Sequence, residues 1–313
     1  MSAETGENSG GPVTRSGFVA LVGRPNAGKS TLLNRLVGVK LAIVSDKPQT
    51  TRHRILGVKT DVQGQVLYVD TPGIHRPLHK LNVRMVDSAL ESLREVEVVV
   101  VLVDASNKTG AGDNFVVARL KEARVPVILA LNKIDLVSSK TDLLPLMAHY
   151  QKAMDFAAIV PISAATGDNV DALEREIRSR LPEGPALYPD DYLTDQPQRV
   201  LAAETVREKL LIHTRDELPF TTAVVIDQFE EPKNSKAPYR IFATILVEGE
   251  SQKPIVLGKA GSMIKRIGTE ARLDLEAALE AKVYLELHVK VKADWRDNER
   301  FLDELGMPPA RRR

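Results

Sequence analysis

From residue 17 to about 181, short apolar runs alternate with stretches of helical period. Phe18–Val22, Ile55–Asp61, Val66–Val69, Val98–Val103, Val127–Leu131 and Ala158–Pro161 read as strands. The near-continuous valines at 98–103 suit a central parallel strand buried on both faces. Gln63-Gly64 between two runs predicts a hairpin turn. The expectation is an α/β unit, a mostly parallel sheet with one antiparallel pair and helices on both faces. Periodicity stops at Leu181-Pro182-Glu183-Gly184-Pro185, whose prolines and glycine break helices. A second, α+β pattern follows: a helix over Arg199–His213, strands over Thr221–Phe229 and Arg240–Val247, a glycine turn at 258–261, and a helix to Ala281. A strand over Lys282–Ala293 and a short helix near Asn298–Leu305 complete it. The boundaries are a tail over 1–16, a first domain over 17–181, a linker over 182–197, a second domain over 198–306 and a tail over 307–313.

The first strand runs into Gly23-Arg24-Pro25-Asn26-Ala27-Gly28-Lys29-Ser30, which fits G-x-x-x-x-G-K-[ST], and a helical pattern begins at Thr31. Strand, glycine loop and helix form the context of a phosphate-binding loop. The glycines let backbone N–H groups turn inward, and the helix N-terminus adds partial positive charge. Lys29 is placed to reach the β and γ phosphates, and Ser30 to ligate Mg²⁺.

Further segments follow in order, each at a predicted strand end or loop. Asp70-Thr71-Pro72-Gly73 offers a carboxylate that can hold Mg²⁺ through a water and a Gly73 amide that can donate to a γ-phosphate. Between it and the phosphate loop, Gln49-Thr50-Thr51-Arg52-His53-Arg54 offers a hydroxyl, preferentially Thr51, to complete the Mg²⁺ shell. Solvent or RNA contact is expected for Arg52 and Arg54. Asn132-Lys133-Ile134-Asp135 reads the base. A carboxylate accepts from guanine N1–H and the N2 amine together, and adenine has no such pair, so Asp135 favours GTP and GDP over ATP. The Lys133 stem can lie along the ring. In Ser163-Ala164-Ala165, the Ala164 N–H is the expected donor to guanine O6.

In the second unit Gly258-Lys259-Ala260-Gly261 fits G-x-x-G between helical turns, a loop that clamps about four nucleotides of single strand. Lys253, Lys259, Lys265 and Arg266 form a local basic patch, while Ile264 and Ile267 share a core-facing side. Trp295 has two open roles, stacking on a base or packing.

Composition narrows the alternatives. The chain has 313 residues, with 43 basic and 42 acidic side chains and net charge +1. Any nucleic-acid site therefore comes from local clustering. Cysteine is absent, which excludes disulfides and thiolate metal sites, and the six histidines form no zinc-like cluster. Met1–Ser16 has no apolar core like that of a signal peptide, and the longest apolar run is far shorter than a membrane span. A soluble, cytoplasmic protein is expected, with peripheral contact at the inner face of the cell membrane left open.

Together the first-domain segments resemble the small GTPases. Gly23 to Ser30, Gln49-Thr50-Thr51-Arg52 and Asp70-Thr71-Pro72-Gly73-Ile74 are more narrowly similar to the Era family of bacterial GTPases, and the second unit is similar to a type II KH domain. The resemblance spans about 17–306. It implies a P-loop GTPase domain followed by a KH domain, slow hydrolysis of GTP, and a monomer that binds the 3′ end of 16S rRNA in maturation of the 30S subunit. Ile74 stands where Ras-like enzymes carry a water-positioning Gln. The resemblance gives Asn26 a role in holding K⁺; a hydrogen bond that stiffens the loop is its other reading. A competing function is a GTP-regulated membrane or cell-cycle protein whose C-terminal domain binds protein or lipid.

Overall fold

A computed structural model describes residues 14–307 and 309, apart from 48, 76, 108–109, 216–217 and 235–236. The first sheet contains β1 (Arg15–Gly23), β2 (Ile55–Asp61), β3 (Gly64–Asp70), β4 (Val98–Asp104), β5 (Val127–Asn132) and β6 (Ala158–Pro161). They lie in the order β2-β3-β1-β4-β5-β6, and only the β2–β3 hairpin is antiparallel. The helices are α1 (Lys29–Val37), α2 (Lys80–Ser92), α3 (Ala111–Leu120), α4 (Leu143–Ala153) and α5 (Val170–Arg178). β4 explains the layering. Val98, Val100 and Leu102 face a core shared with Leu32 and Leu36 of α1 and with Leu173 and Ile177 of α5. Val99, Val101 and Val103 face the opposite core with Val116 and Leu120 of α3 and Tyr150 of α4. A strand buried on both faces needs no polar alternation.

The second unit starts with α6 (Gln198–His213) and the short α7 (Leu218–Thr221), followed by β7 (Ala223–Glu230) and β8 (Tyr239–Val247). α8 (Lys253–Leu257), α9 (Ser262–Leu279), β9 (Val283–Val291) and α10 (Glu299–Glu304) complete it. Its sheet runs β7-β8-β9, antiparallel and then parallel. Ala202, Val206 and Leu210 of α6 and Ile267, Ala271 and Leu275 of α9 bury one face of it.

Three expectations change and one open choice is settled. Arg15 and Ser16 are strand, paired with Gly64 and Gln65, because β3 extends far enough to take them as partners; residues 1–13 lie outside the described set. The 182–197 stretch is irregular but tied to the first sheet. The Gln65 carboxamide accepts from Leu187 and Tyr188 N–H (2.8 and 2.9 Å) and donates to Tyr188 O, and Val58 N–H donates to Leu193 O. Tyr188 and Tyr192 stack there at 4.7 Å. Met307 is buried rather than in a tail. Trp295 is fully buried; its Nε1 donates to Thr221 O at 2.9 Å. It lies in a core that joins both units, with Leu81 and Met85 of α2 against Ala223, Leu246, Phe301, Leu302 and Met307. The apolar face of α2 is thus buried against the second unit.

Trp295→Ala leaves a cavity at that junction and should lower stability by about 3–5 kcal/mol in denaturant melts.

Candidate nucleotide and nucleic-acid sites

The phosphate loop closes on itself through two left-handed residues, Asn26 and Gly28, the latter capping α1. A Cβ on Gly28 would lie 2.1 Å from Asn132 Nδ2, so the end of β5 packs directly on the loop. Lys29 is buried and donates to Arg24 O at 3.0 Å, curling its ammonium over the loop. Burial holds its pKa below the usual lysine value, and Asp70 partly opposes that.

Ser30, Thr51 and Asp70 come together. Ser30 Oγ lies 2.6 Å from Thr51 Oγ1 and donates to Asp70 Oδ2 at 2.6 Å, and Thr51 Oγ1 donates to the same oxygen at 3.2 Å. Asp70 Oδ1 is buried with no partner. Two hydroxyls and one carboxylate, with one of its oxygens orphaned, are a hard-oxygen donor set that fits Mg²⁺. Burial raises the Asp70 pKa; Lys29 and the hydroxyls act against it. Gly73 lies against Pro25, where a Cβ would fall 2.6 Å from the Pro25 nitrogen.

Other residues of these segments work behind the loops. Ile74 is fully buried in the α3-side core, and its N–H donates to Gly23 O at 3.0 Å. Thr71 Oγ1 donates to Leu21 O, Pro72 is buried, and the Arg24 guanidinium pairs with Asp113 at 2.9 Å. Thr31 continues α1 from the loop. Asn26 Nδ2 donates to Asp46 O at 2.6 Å, bridging to the loop before Thr51.

At the base end Asn132 is a bracket. Its Nδ2 donates to Ala27 O (2.8 Å), and its Oδ1 accepts from the Ala164 amide (2.9 Å). The Ala164 N–H, the expected donor to guanine O6, is here engaged by the Asn132 carboxamide that folds against it. Ser163 is buried and closes its loop through Asp168 O and Thr166 N–H. Arg35 on α1, missed from sequence, draws that loop in by donating to Ala164 O and Ala165 O. Lys133 is left-handed and donates to Asp104 Oδ2 at 2.7 Å, stretching its stem across the strand ends. Asp135 is exposed.

In the second unit Gly258, Ala260 and Gly261 all have positive φ, which makes a tight loop between α8 and α9 with Lys259 and Ala260 exposed at its tip. Lys265 is exposed and Arg266 pairs with Glu270. A groove of about 340 Å³ follows between α9 and β9, lined by Ile264, Gly268, Arg272, Leu285 and Leu287. A Cβ on Gly268 would reach 3.3 Å from Leu287, so that glycine sets the groove's depth. The alternation of apolar and polar residues along β9 is its signal in the sequence.

Comparison with known proteins decides the family. Residues 18–133 match the model of a 50S ribosome-binding GTPase family, and 217–296 match a KH domain. GTPase Era of Geobacter metallireducens is 50% identical over 292 residues, covering 93% of this chain and 97% of that protein. The chain belongs to the GTPase Era family. A second Era, from Geobacter sp. strain M21, is likewise 50% identical over 292 residues. Solved structures agree. A single-substitution variant of Aquifex aeolicus Era bound to GDP·AlF₄⁻ is 42% identical with TM-score 0.90, covering 94% of this chain and 99% of its own. An Era in complex with MgGDPNP and nucleotides 1506–1542 of 16S ribosomal RNA has TM-score 0.91 at the same identity and coverage. The fold is therefore that of Era, a P-loop GTPase domain followed by a KH domain.

Between the two units, the loop that carries Thr51 is bound on both sides to the KH unit. Val44 N–H donates to Glu208 Oε1 at 2.9 Å, and Arg207 donates to Thr50 O. Arg52, expected in solvent or on RNA, is buried. It donates to Thr222 O at 2.8 Å with its guanidinium 5.4 Å from the Trp295 ring centre. Lys40 reaches Glu208 and also Asp274 of α9, the helix that starts at the G-x-x-G loop.

Because burial raises the Asp70 pKa, its charged form costs folding free energy, and stability from this residue falls as pH rises through its folded pKa. Asp70→Asn should therefore raise the melting temperature of the nucleotide-free protein at neutral pH. It should also lose the further rise that Mg²⁺ and nucleotide give the parent protein. Scanning fluorimetry with and without both reads each effect.

Proposed function

We propose that this chain is a GTP-hydrolysing switch that binds the 3′ end of 16S rRNA and acts in assembly and maturation of the 30S subunit. The observation that carries this reading is full-length likeness to an Era in complex with MgGDPNP and 16S rRNA nucleotides, with both candidate sites in one chain. The two domains are taken as about 17–181 and 198–306, extended at their ends by Arg15, Ser16 and Met307.

In this reading the amides of 23–31 cradle the phosphates, Lys29 neutralises the β and γ oxygens, and Asp135 selects guanine. Ser30, Thr51 and Asp70 would hold Mg²⁺, which when bound offsets the charge developing on the phosphates. Gly73 donates its amide to the γ-phosphate. Asn26 would turn its Oδ1 to K⁺, since its Nδ2 is engaged at Asp46 O. Ile74 points into the core, so no side chain from that position orients water, and intrinsic hydrolysis is slow. Gly258, Lys259, Ala260 and Gly261 clamp RNA backbone, with Lys265 and Arg266 adding charge. The switch reaches the RNA side through Thr50, Arg52 and Val44, because γ-phosphate fixes Thr51 between residues bonded to α6 and Trp295. The protein is read as a cytoplasmic monomer.

Asp135→Asn should cut GTP affinity by at least about 100-fold relative to xanthosine triphosphate; equal binding of ATP and GTP by the parent would refute the base assignment. Replacing Lys259 and Ala260 by Asp should abolish binding to a short RNA copy of the 16S 3′ end without changing basal turnover. RNA binding that survives, or lost liposome binding instead, would contradict the clamp.

A further inference from the structure

His75 and Asn82 stand outside every motif above, yet His75 touches the segment that would meet the γ-phosphate, and Asn82 touches His75. His75 Nδ1 lies 2.8 Å from Gly73 O, and its Nε2 lies 2.7 Å from Asn82 Nδ2. A carbonyl only accepts, so Nδ1 carries the proton. Nε2 is then bare and accepts from the Asn82 amide. Asn82 is 2% exposed and belongs to α2. The Gly73–Ile74 peptide is therefore held at both ends: its C=O by His75, and its N–H by Gly23 O at 3.0 Å. Gly73 itself is pressed on Pro25. His75, Ile74, Pro25 and Asn26 border an open cavity on the α3 side of the phosphate loop, while Gly73 itself lines the smaller pocket that holds Lys29, Ser30 and Thr51.

We propose that His75 and Asn82 are a positioning pair: Asn82 sets the imidazole, and His75 locks the Gly73–Ile74 peptide so that the Gly73 amide already faces the γ-phosphate. The inference rests on the GTPase reading above and adds two residues to it. Ile74 cannot guide a water molecule from inside the core, so a rigid peptide beside it is how this chain orders that end of the site. GDP lacks the γ-phosphate and does not feel the pair.

The test uses the full chain with Mg²⁺ and measures affinity for GDP and for GDPNP, with single-turnover hydrolysis alongside. His75→Ala and Asn82→Ala should each leave GDP affinity within about twofold but weaken GDPNP about five- to tenfold, with hydrolysis slowed at saturating GTP. The double variant should be no worse than the weaker single, as a serial pair requires. His75→Asn keeps a donor near the Nδ1 position and should recover most of the GDPNP affinity. GDP and GDPNP affinities that fall together would overturn the proposal by marking the pair as merely structural. So would additive losses, or parent-like values throughout. A parent protein that bound neither nucleotide would overturn the GTPase reading itself.

Discussion

One buried carboxylate holds the nucleotide end together. Asp70 ends β3, yet it accepts from Ser30 at the start of α1 and from Thr51 in the loop before β2. Three segments far apart in the chain meet at a single side chain. Burial works against its charge, and Lys29 is buried beside it with its own charge disfavoured. A pair of this kind contributes little net stability by itself, because desolvation offsets attraction. Its worth lies in geometry: the oxygens that suit Mg²⁺ are gathered in advance, at a cost in folding free energy that a divalent cation would relieve.

A similar tension appears where the units meet. Arg52 and Arg207 are both buried, and Glu204 is the carboxylate that answers them. Glu204 accepts from Arg207 at 2.5 Å and 2.8 Å, while Arg52 Nε and Arg207 Nη1 have no partner. Burial first, and then repulsion from Arg207, pulls the Arg52 pKa down to about 9. Two buried guanidiniums that face one carboxylate make a contact that leans on backbone acceptors and the Trp295 core more than on charge balance. Such a contact is sensitive to small movements of the loop between them. Thr51 is in that loop, flanked by the Thr50 carbonyl and the Arg52 side chain, and this gives the metal end of the nucleotide site a physical route to α6 and α9.

Most of the fold is legible in the chain. The Val98–Val103 run declares a strand buried twice over, and Gln63-Gly64 declares the one antiparallel hairpin. The segments at Gly23, Asp70, Asn132 and Ser163 are legible as well, because each ends or follows a strand and the C-terminal ends of a parallel sheet converge. What escapes reading depends on tertiary neighbours. Arg52 looks like a solvent residue because only Pro219, Thr222 and Trp295, some 170 to 240 positions away, make its burial tolerable. The Ala164 amide looks free until the Asn132 carboxamide folds against it. The prolines of 182–197 announce irregular backbone correctly, but nothing local announces that Gln65 will bind it to the sheet. Asn82 reads as an ordinary polar helix position until His75 is placed over it.

Trp295 is the chain's single tryptophan and sits at the junction through which the two sites would communicate. Its emission therefore reports directly on the central claim. The measurement is Trp295 fluorescence of the full chain with Mg²⁺ and saturating GDP, then with saturating GDPNP. The account predicts a distinct emission wavelength or intensity for GDPNP, and loss of that difference in Arg207→Ala. Identical emission in the two states of the parent protein would contradict it.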